Sequence, residues 1–328
     1  MKPILLHYYI TNRCNARCEF CAIWKETPKI DAAATNVLRN MADARSAGCR
    51  FVDFTGGEPL LHPDLPLFCR EAKRLGFVTS VTTNCIAFPK LAPRLAGLVD
   101  LLHFSLDADN ALLHDKLRGA DSYSTVIESI PIALANGLVP DLLFTYTSEN
   151  IDAFDGVYKL ARKNRLMVIL DPVFFLDGKD TVSAAIHSRA RDYAKRPGVY
   201  LNTALLDLRK RGGNSAKGNF CKAVSSTIVI LPDDSLALPC YHHSQEFVKI
   251  TGSLTKALTD PLRVEATREQ GLYMFCNGCH INCYFDPSFT FHYNSMFFNS
   301  LAAKASYAFN KYFKYRRKGP HIPLFKRA

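Results

Sequence analysis

Three cysteines near the start of the chain, Cys14, Cys18 and Cys21, are spaced C-x3-C-x2-C and follow the apolar run Ile4 to Ile10. Thiolates are the ligands that iron–sulfur clusters select. Three of them can bind three irons of a [4Fe–4S] cube and leave the fourth iron without a protein ligand. A cluster held by four thiolates mainly carries electrons. An iron with an open position can instead bind a substrate or cofactor directly. Phe20, just before the third cysteine, can shield such a site or simply pack in the core.

A second group, Cys221, Cys240, Cys276, Cys279 and Cys283, lies towards the other end of the chain. A C-x2-C pair with two distant partners is zinc spacing as well as cluster spacing. Five thiols compete for four places, and His242, His243 and His280 stand beside them as alternative ligands. Cys49, Cys69 and Cys85 are isolated and read as small buried hydrophobes. Eleven cysteines distributed in this way point to metal ligation, because a disulfide framework belongs to shorter, evenly paired chains.

Such groups need a scaffold, and the hydrophobic pattern supplies one. Strand candidates 4–10, 50–54, 77–83, 101–106, 139–146 and 167–174 alternate with helix candidates 34–47, 64–75, 89–97, 123–136 and 152–164. Asp64 and Asp152 are candidate N-caps, and Gly48, Gly76 and Gly137 are candidate stops. Repeats of this kind imply a parallel sheet with helices outside, in the α/β class. An open (βα)6, TIM-like partial barrel fits the count, with reactive groups at the C-terminal strand ends. Residues 176–220 read as a helical connection. From Cys221 the pattern changes to a hairpin, 227–231 and 236–238, with its turn at 232–235.

Four ordered segments resemble the radical S-adenosylmethionine (radical SAM) superfamily over residues 3–175. They are the cysteine triad, Gly56-Gly57-Glu58-Pro59, Ser80-Val81-Thr82-Thr83-Asn84, and His103-Phe104-Ser105-Leu106-Asp107 with Arg118-Gly119 downstream. The resemblance implies that the open iron chelates SAM. One electron then breaks the S–C5′ bond and yields a 5′-deoxyadenosyl radical, which takes hydrogen from an unactivated C–H bond. It also implies SAM contacts from Gly56, Gly57, Glu58, Pro59, Asn84, Ser105, Asp107 and Arg118. Physically, glycine backbone can approach a ligand closely, and an arginine can pair a carboxylate bidentately. The plainer alternative is that Ser105 and Asp107 merely end a strand and cap a turn.

The second cysteine group resembles the twitch or SPASM extension that part of this superfamily carries, which implies an auxiliary [4Fe–4S] cluster. The expected organisation is a barrel over 1–175, the connection over 176–220, an auxiliary-cluster region over 221–290 and a basic helical tail over 291–328. An auxiliary cluster suits a net oxidation, since it can accept the electron left on a substrate radical.

Composition is that of a folded protein, 48% hydrophobic and 22% charged. No signal peptide or membrane-spanning run is expected, which points to the cytoplasm. The 42 residues after Asp286 contain eight Lys or Arg and no acidic residue, out of a net charge of +11. Apolar positions 297, 301, 305, 308 and 312 share helical spacing there. The tail therefore either docks on the barrel or lies peripherally on the inner membrane surface. No nucleic-acid partner is expected, because the body carries no basic stripe.

The expected partners are a small, apolar substrate (lipid, isoprenoid or tetrapyrrole type) and a low-potential electron donor of the flavodoxin or ferredoxin type. The chain begins only thirteen residues before Cys14, which weakens the alternative of a peptide maturase of the SPASM type. A different class remains: a non-catalytic iron–sulfur electron-transfer protein or a zinc-binding protein.

Overall fold

The computed structural model describes residues 2–174 and 181–315. The N-terminal part alternates strands and helices: β1 Leu5–Thr11, α1 Ala34–Ala47, β2 Phe51–Gly56, α2 Leu65–Arg74, β3 Val78–Thr83, α3 Phe88–Leu95 and β4 Leu101–Ser105. It continues with α4 Ala111–Arg118, α5 Tyr123–Ala135, β5 Asp141–Tyr146, α6 Phe154–Asn164 and β6 Val168–Pro172. The connection contributes α7 Ala184–Tyr193, β7 Val199–Tyr200 and α8 Thr203–Lys210. Then come α9 Ala223–Ser226, β8 Thr227–Ile230, β9 Ser235–Leu238, β10 Glu246–Lys249, α10 Leu254–Ala257, α11 Pro261–Glu269, α12 Asn282–Ser288 and α13 Ser295–Phe309.

Strands β1 to β7 pair in parallel, in sequence order. The expected open parallel sheet is therefore present, with a short seventh strand at one edge. At the other edge β8 runs parallel to β1, so the cysteine-flanked hairpin continues the same sheet, followed by antiparallel β9 and β10. Alternation along each strand sorts the residues. Leu6, Tyr8, Ile10, Val52, Phe54, Val81, Phe104 and Phe144 are fully buried in the main core, which also takes in Val37, Met41, Phe68 and Val126 of the surrounding helices. Cys49, Cys69 and Cys85 lie in that core.

Helix ends show which local signals won. Gly48 ends α1 at φ 125°, where a side chain would be strained. Asp64 precedes α2 but its side chain makes no capping bond, and its backbone amide donates to His62 Nδ1. Asp152 falls in a 3₁₀ turn and pairs with Arg189 at 2.5 Å. Helix α4 is an element the hydrophobic pattern did not reveal. Asn110 caps it and left-handed Gly119 terminates it.

The C-terminal helix docks beneath the sheet at the N-terminal strand ends. Tyr307 donates to Asp141 Oδ2 at 2.5 Å, and Lys311 pairs with the same oxygen at 2.6 Å. Asp141 is fully buried at the start of β5, beside His103 at 3.5 Å. A buried carboxylate needs partners, so polar residues of the helix face inward. The expected apolar line does not form the docked face: Leu301 and Ala305 are exposed. Arg316, Arg317, Lys318, Lys326 and Arg327 lie outside the described residues.

Candidate active site

The first cysteine loop leaves β1 at Thr11 and is pinned by the segments that the sequence singles out. Gly57 N donates to Thr11 O at 2.9 Å, and Glu58 N donates to Arg13 O at 2.8 Å. A Cβ on either glycine would overlap those carbonyl oxygens, so the close approach here is backbone to backbone. From α4, Arg118 O accepts from Arg17 N and Leu117 O accepts from Glu19 N. Asn84 Nδ2 donates to Asn15 Oδ1 at 2.8 Å. Cys14, Cys18 and Cys21 are half-buried in this loop and are electrostatic neighbours of one another. Burial pushes the Cys14 thiol up to about 11 and also raises Cys21, so a bound metal centre must displace protons from them.

Around the loop, several residues hold the site in place. Glu58 is buried, and burial lifts its carboxyl to about 7 although Thr83 Oγ1, Asn84 N and Leu60 N all donate to it. Pro59 is buried in the turn that follows. Arg118 pairs with Asp107 at 2.6 Å, donates to Cys18 Sγ at 3.9 Å and lies over the Phe20 ring. Asp107 Oδ1 accepts from Thr145 N at 2.8 Å. Ser105 is buried at the end of β4.

The second site is a small cavity lined by Cys221, Cys240, Cys276 and Cys279, with His243 and Pro239 among its other walls. Cys283 does not line it. That thiol is half-buried on α12, near Asp171, Asp53 and Cys240. Of the three histidines offered as substitute ligands, only His243 reaches the cavity wall. Among the described residues, no three His, Cys, Asp or Glu side chains converge tightly enough to hold a single metal ion.

One residue the sequence reading passed over organises this site. Buried Asn214 donates through Nδ2 to Gly271 O at 2.7 Å and Cys276 O at 3.3 Å, while Oδ1 accepts from Phe220 N and Cys221 N. Its backbone bonds Cys279 O and Gly278 N, each at 2.8 Å. Asn214 thus ties three cysteine segments together. The available signal was the Gly212-Gly213-Asn214 turn: Gly213 sits at φ +84°, close against Gly278.

Between the two sites the concave face of the sheet is polar. His7 Nδ1 lies 3.1 Å from Asp53 Oδ2, and Ser80 and His103 also face Asp53. Asp171 accepts from Asn282 at 3.0 Å, and burial lifts its carboxyl to about 6 against the pull of Arg209. Tyr9 stacks on Tyr241 at 4.0 Å, and Tyr241 N donates to Tyr284 Oη at 2.9 Å. Cys21 lies beside Tyr241, and Cys240 and Cys283 lie beside Tyr284, so these rings span the space between the cysteine sites.

Residues 8–161, which hold the pinned triad and the strand ends around it, match the family model of the radical SAM superfamily. This part of the chain is a radical SAM domain. This radical SAM enzyme therefore uses a [4Fe–4S] cluster and SAM, and the soft, mutually adjacent thiols of the triad fit that cluster.

Relatives include a probable GTP 3′,8-cyclase of Sulfurisphaera tokodaii, 27% identical over 286 residues, or 80% of this chain and 89% of that one. The probable GTP 3′,8-cyclase of Saccharolobus solfataricus is 37% identical over 139 residues, which span 41% of this chain and 45% of the relative. Among solved structures, Streptococcus suis SuiB bound to S-adenosylmethionine aligns with a TM-score of 0.66 at 17% identity, over 90% of this chain and 76% of that one. Native anSMEcpe with bound AdoMet gives 0.63 at 16% identity, over 94% and 98%. At such identities these two structures establish the shared fold. No helix among the described residues is long and apolar enough to cross a membrane.

Proposed function

We propose that this radical SAM enzyme carries out a net oxidation of a small, polar molecule held on the concave face between two iron–sulfur sites. The observation that carries the reading is the four-cysteine cavity, whose wall includes Tyr284, bonded to the Tyr241 that lies beside Cys21 of the triad. Cys14, Cys18 and Cys21 would hold the SAM-binding cluster, and Cys221, Cys240, Cys276 and Cys279 a fully ligated auxiliary cluster, with Cys283 as the spare thiol. When bound, the first cluster with SAM supplies a 5′-deoxyadenosyl radical that removes a hydrogen atom, and the second supplies an acceptor for the remaining electron.

The chain's own residues take the other roles. Asn84 and Ser105 lie at strand ends where SAM contacts are expected. Gly56, Gly57, Glu58, Pro59, Asp107 and Arg118 hold the cluster loop in place around them. Asp171, with its raised carboxyl, is the candidate acceptor for the proton a substrate loses on oxidation. The His7–Asp53 pair and Asp171 favour a hydrogen-bonding substrate over the lipid or isoprenoid type expected from the tail. A flavodoxin- or ferredoxin-type donor in the cytoplasm would provide the reducing electron.

A second reading takes GTP, the substrate in the relatives' names, and the alignment over 80% of this chain favours it. Against it, the concave face presents the carboxylates Asp53 and Asp171, which repel a triphosphate. The peptide alternative rests on fold likeness to SuiB alone.

The test is anaerobic turnover of the iron-loaded protein with SAM, dithionite and deuterated candidates, GTP among them. Deuterium in 5′-deoxyadenosine identifies the substrate. Absence of 5′-deoxyadenosine with both sites loaded would overturn the catalytic reading.

A further inference from the structure

Helix α13 is turned inside out relative to an ordinary surface helix. Beyond fully buried Met296, its docked side is polar. Ser300 Oγ accepts from Asn202 at 3.0 Å, Asn299 donates to Asp207 at 2.8 Å, Lys304 pairs with Asp286 at 3.0 Å, and Tyr307 and Lys311 both bind Asp141. Its solvent side is apolar. Phe298 (62% exposed), Leu301 (52%), Phe309 (61%) and Phe313 (69%), the last in the π-helical turn Asn310–Lys314 that continues α13, follow one another along one side, with exposed Ala302 and Ala305 between them. The stripe is about 24 Å long at 1.5 Å per residue. Phe309 and Phe313 stack at 5.8 Å, so its end is a continuous aromatic ridge. A soluble surface helix normally has the reverse arrangement, and an exposed apolar stripe of this kind marks a contact surface.

Charge decides what the stripe contacts. Exposed Lys314 borders it; with Lys304 and Lys311 already paired on the docked side, the sequence from Lys314 onward holds six Lys or Arg and no acidic residue. A second copy of the chain would bring two such stretches together with no acidic residue from either to offset them. An anionic lipid surface offsets them directly, each basic residue near it adding about 1 kcal/mol. We propose that the outward face of α13 lies flat on an anionic bilayer surface, with Phe298, Leu301, Phe309 and Phe313 inserted at the headgroup level. This inference rests on the fold and does not depend on which substrate is oxidised.

Flotation of the full, iron-loaded chain tests it, using vesicles of phosphatidylcholine alone and of phosphatidylcholine with phosphatidylglycerol in about a 3:1 ratio. The expected result is binding to the anionic vesicles only, weakened by high salt. Replacing Phe298, Phe309 and Phe313 together by Ser should reduce that binding more than about tenfold. Iron content and thermal unfolding of this variant should match the parent, since the three rings are exposed. Equal flotation of parent and variant, or none by either, overturns the proposal. So does a parent dimer in sedimentation velocity that the variant dissolves without any vesicle binding, which would assign the face to a second copy.

Discussion

Arg118 Nη1 donates to the Cys18 sulfur at 3.9 Å while Nη2 pairs with Asp107 at 2.6 Å, so one buried guanidinium connects the end of β4 to the first cysteine loop. The arginine that the sequence offered as a partner for SAM is thus already committed on two sides. Removing one member of a buried pair leaves an uncompensated charge and costs about 3–5 kcal/mol. Arg118→Ala should therefore lower stability by about that much and reduce iron retention at the triad. Adding Asp107→Ala should recover part of the stability, because the orphaned carboxylate is gone. Denaturant unfolding of the two single variants and the double variant gives the coupling. Strictly additive effects would deny the link.

The ligand set at the second site follows from which thiols face the cavity. Cys279→Ala should abolish the auxiliary iron, whereas Cys283→Ala should leave it in place. Iron analysis and electron paramagnetic resonance of both variants decide the assignment. Equal loss in the two would restore Cys283 as a ligand.

Asn214 supports that site through six hydrogen bonds, four through its side chain and two through its backbone, and four of the six reach residues 271–279. Asn214→Ala leaves buried amide and carbonyl groups unpaired, at about 1–3 kcal/mol for each group left unsatisfied. The expected outcome is a lower melting temperature and loss of the auxiliary iron, with iron at the triad retained. Retention of iron at both sites would contradict this role.

Burial places Glu58 at about 7 against an ordinary 4.5. The folded chain therefore holds this proton more tightly than the unfolded chain does. The stabilisation is complete below about 4.5 and is lost as pH rises through about 7, amounting to roughly 3 kcal/mol. Glu58→Gln in the iron-free protein should flatten the fall in melting temperature across that window. Parallel pH profiles for parent and variant would show that Glu58 keeps an ordinary carboxyl.

Much of the architecture is legible from local pattern. The period-two runs correspond to β1 to β6, and helix candidate 34–47 matches α1 residue for residue. The triad spacing likewise points directly to its chemistry. What depends on distant partners is not legible in this way. No periodicity shows that β8 will lie beside β1, nor that the bonds of Asn214 reach Gly271 and Cys276. Helix α13 shows why local polarity misleads. Buried Asp141, more than 160 residues earlier, requires Tyr307 and Lys311 on the inner side, and the apolar residues are left outside. That Glu58, a candidate SAM contact, accepts from three donors of the protein itself is likewise visible only in the fold.

The most direct test of a two-site radical enzyme uses the variant Cys14→Ala, Cys18→Ala, Cys21→Ala beside the parent, both reconstituted anaerobically. With SAM and dithionite the parent should form 5′-deoxyadenosine and the variant none, while the variant still holds about four irons at its second site. A variant with iron near zero, or a fully loaded parent that forms no 5′-deoxyadenosine, would contradict the account.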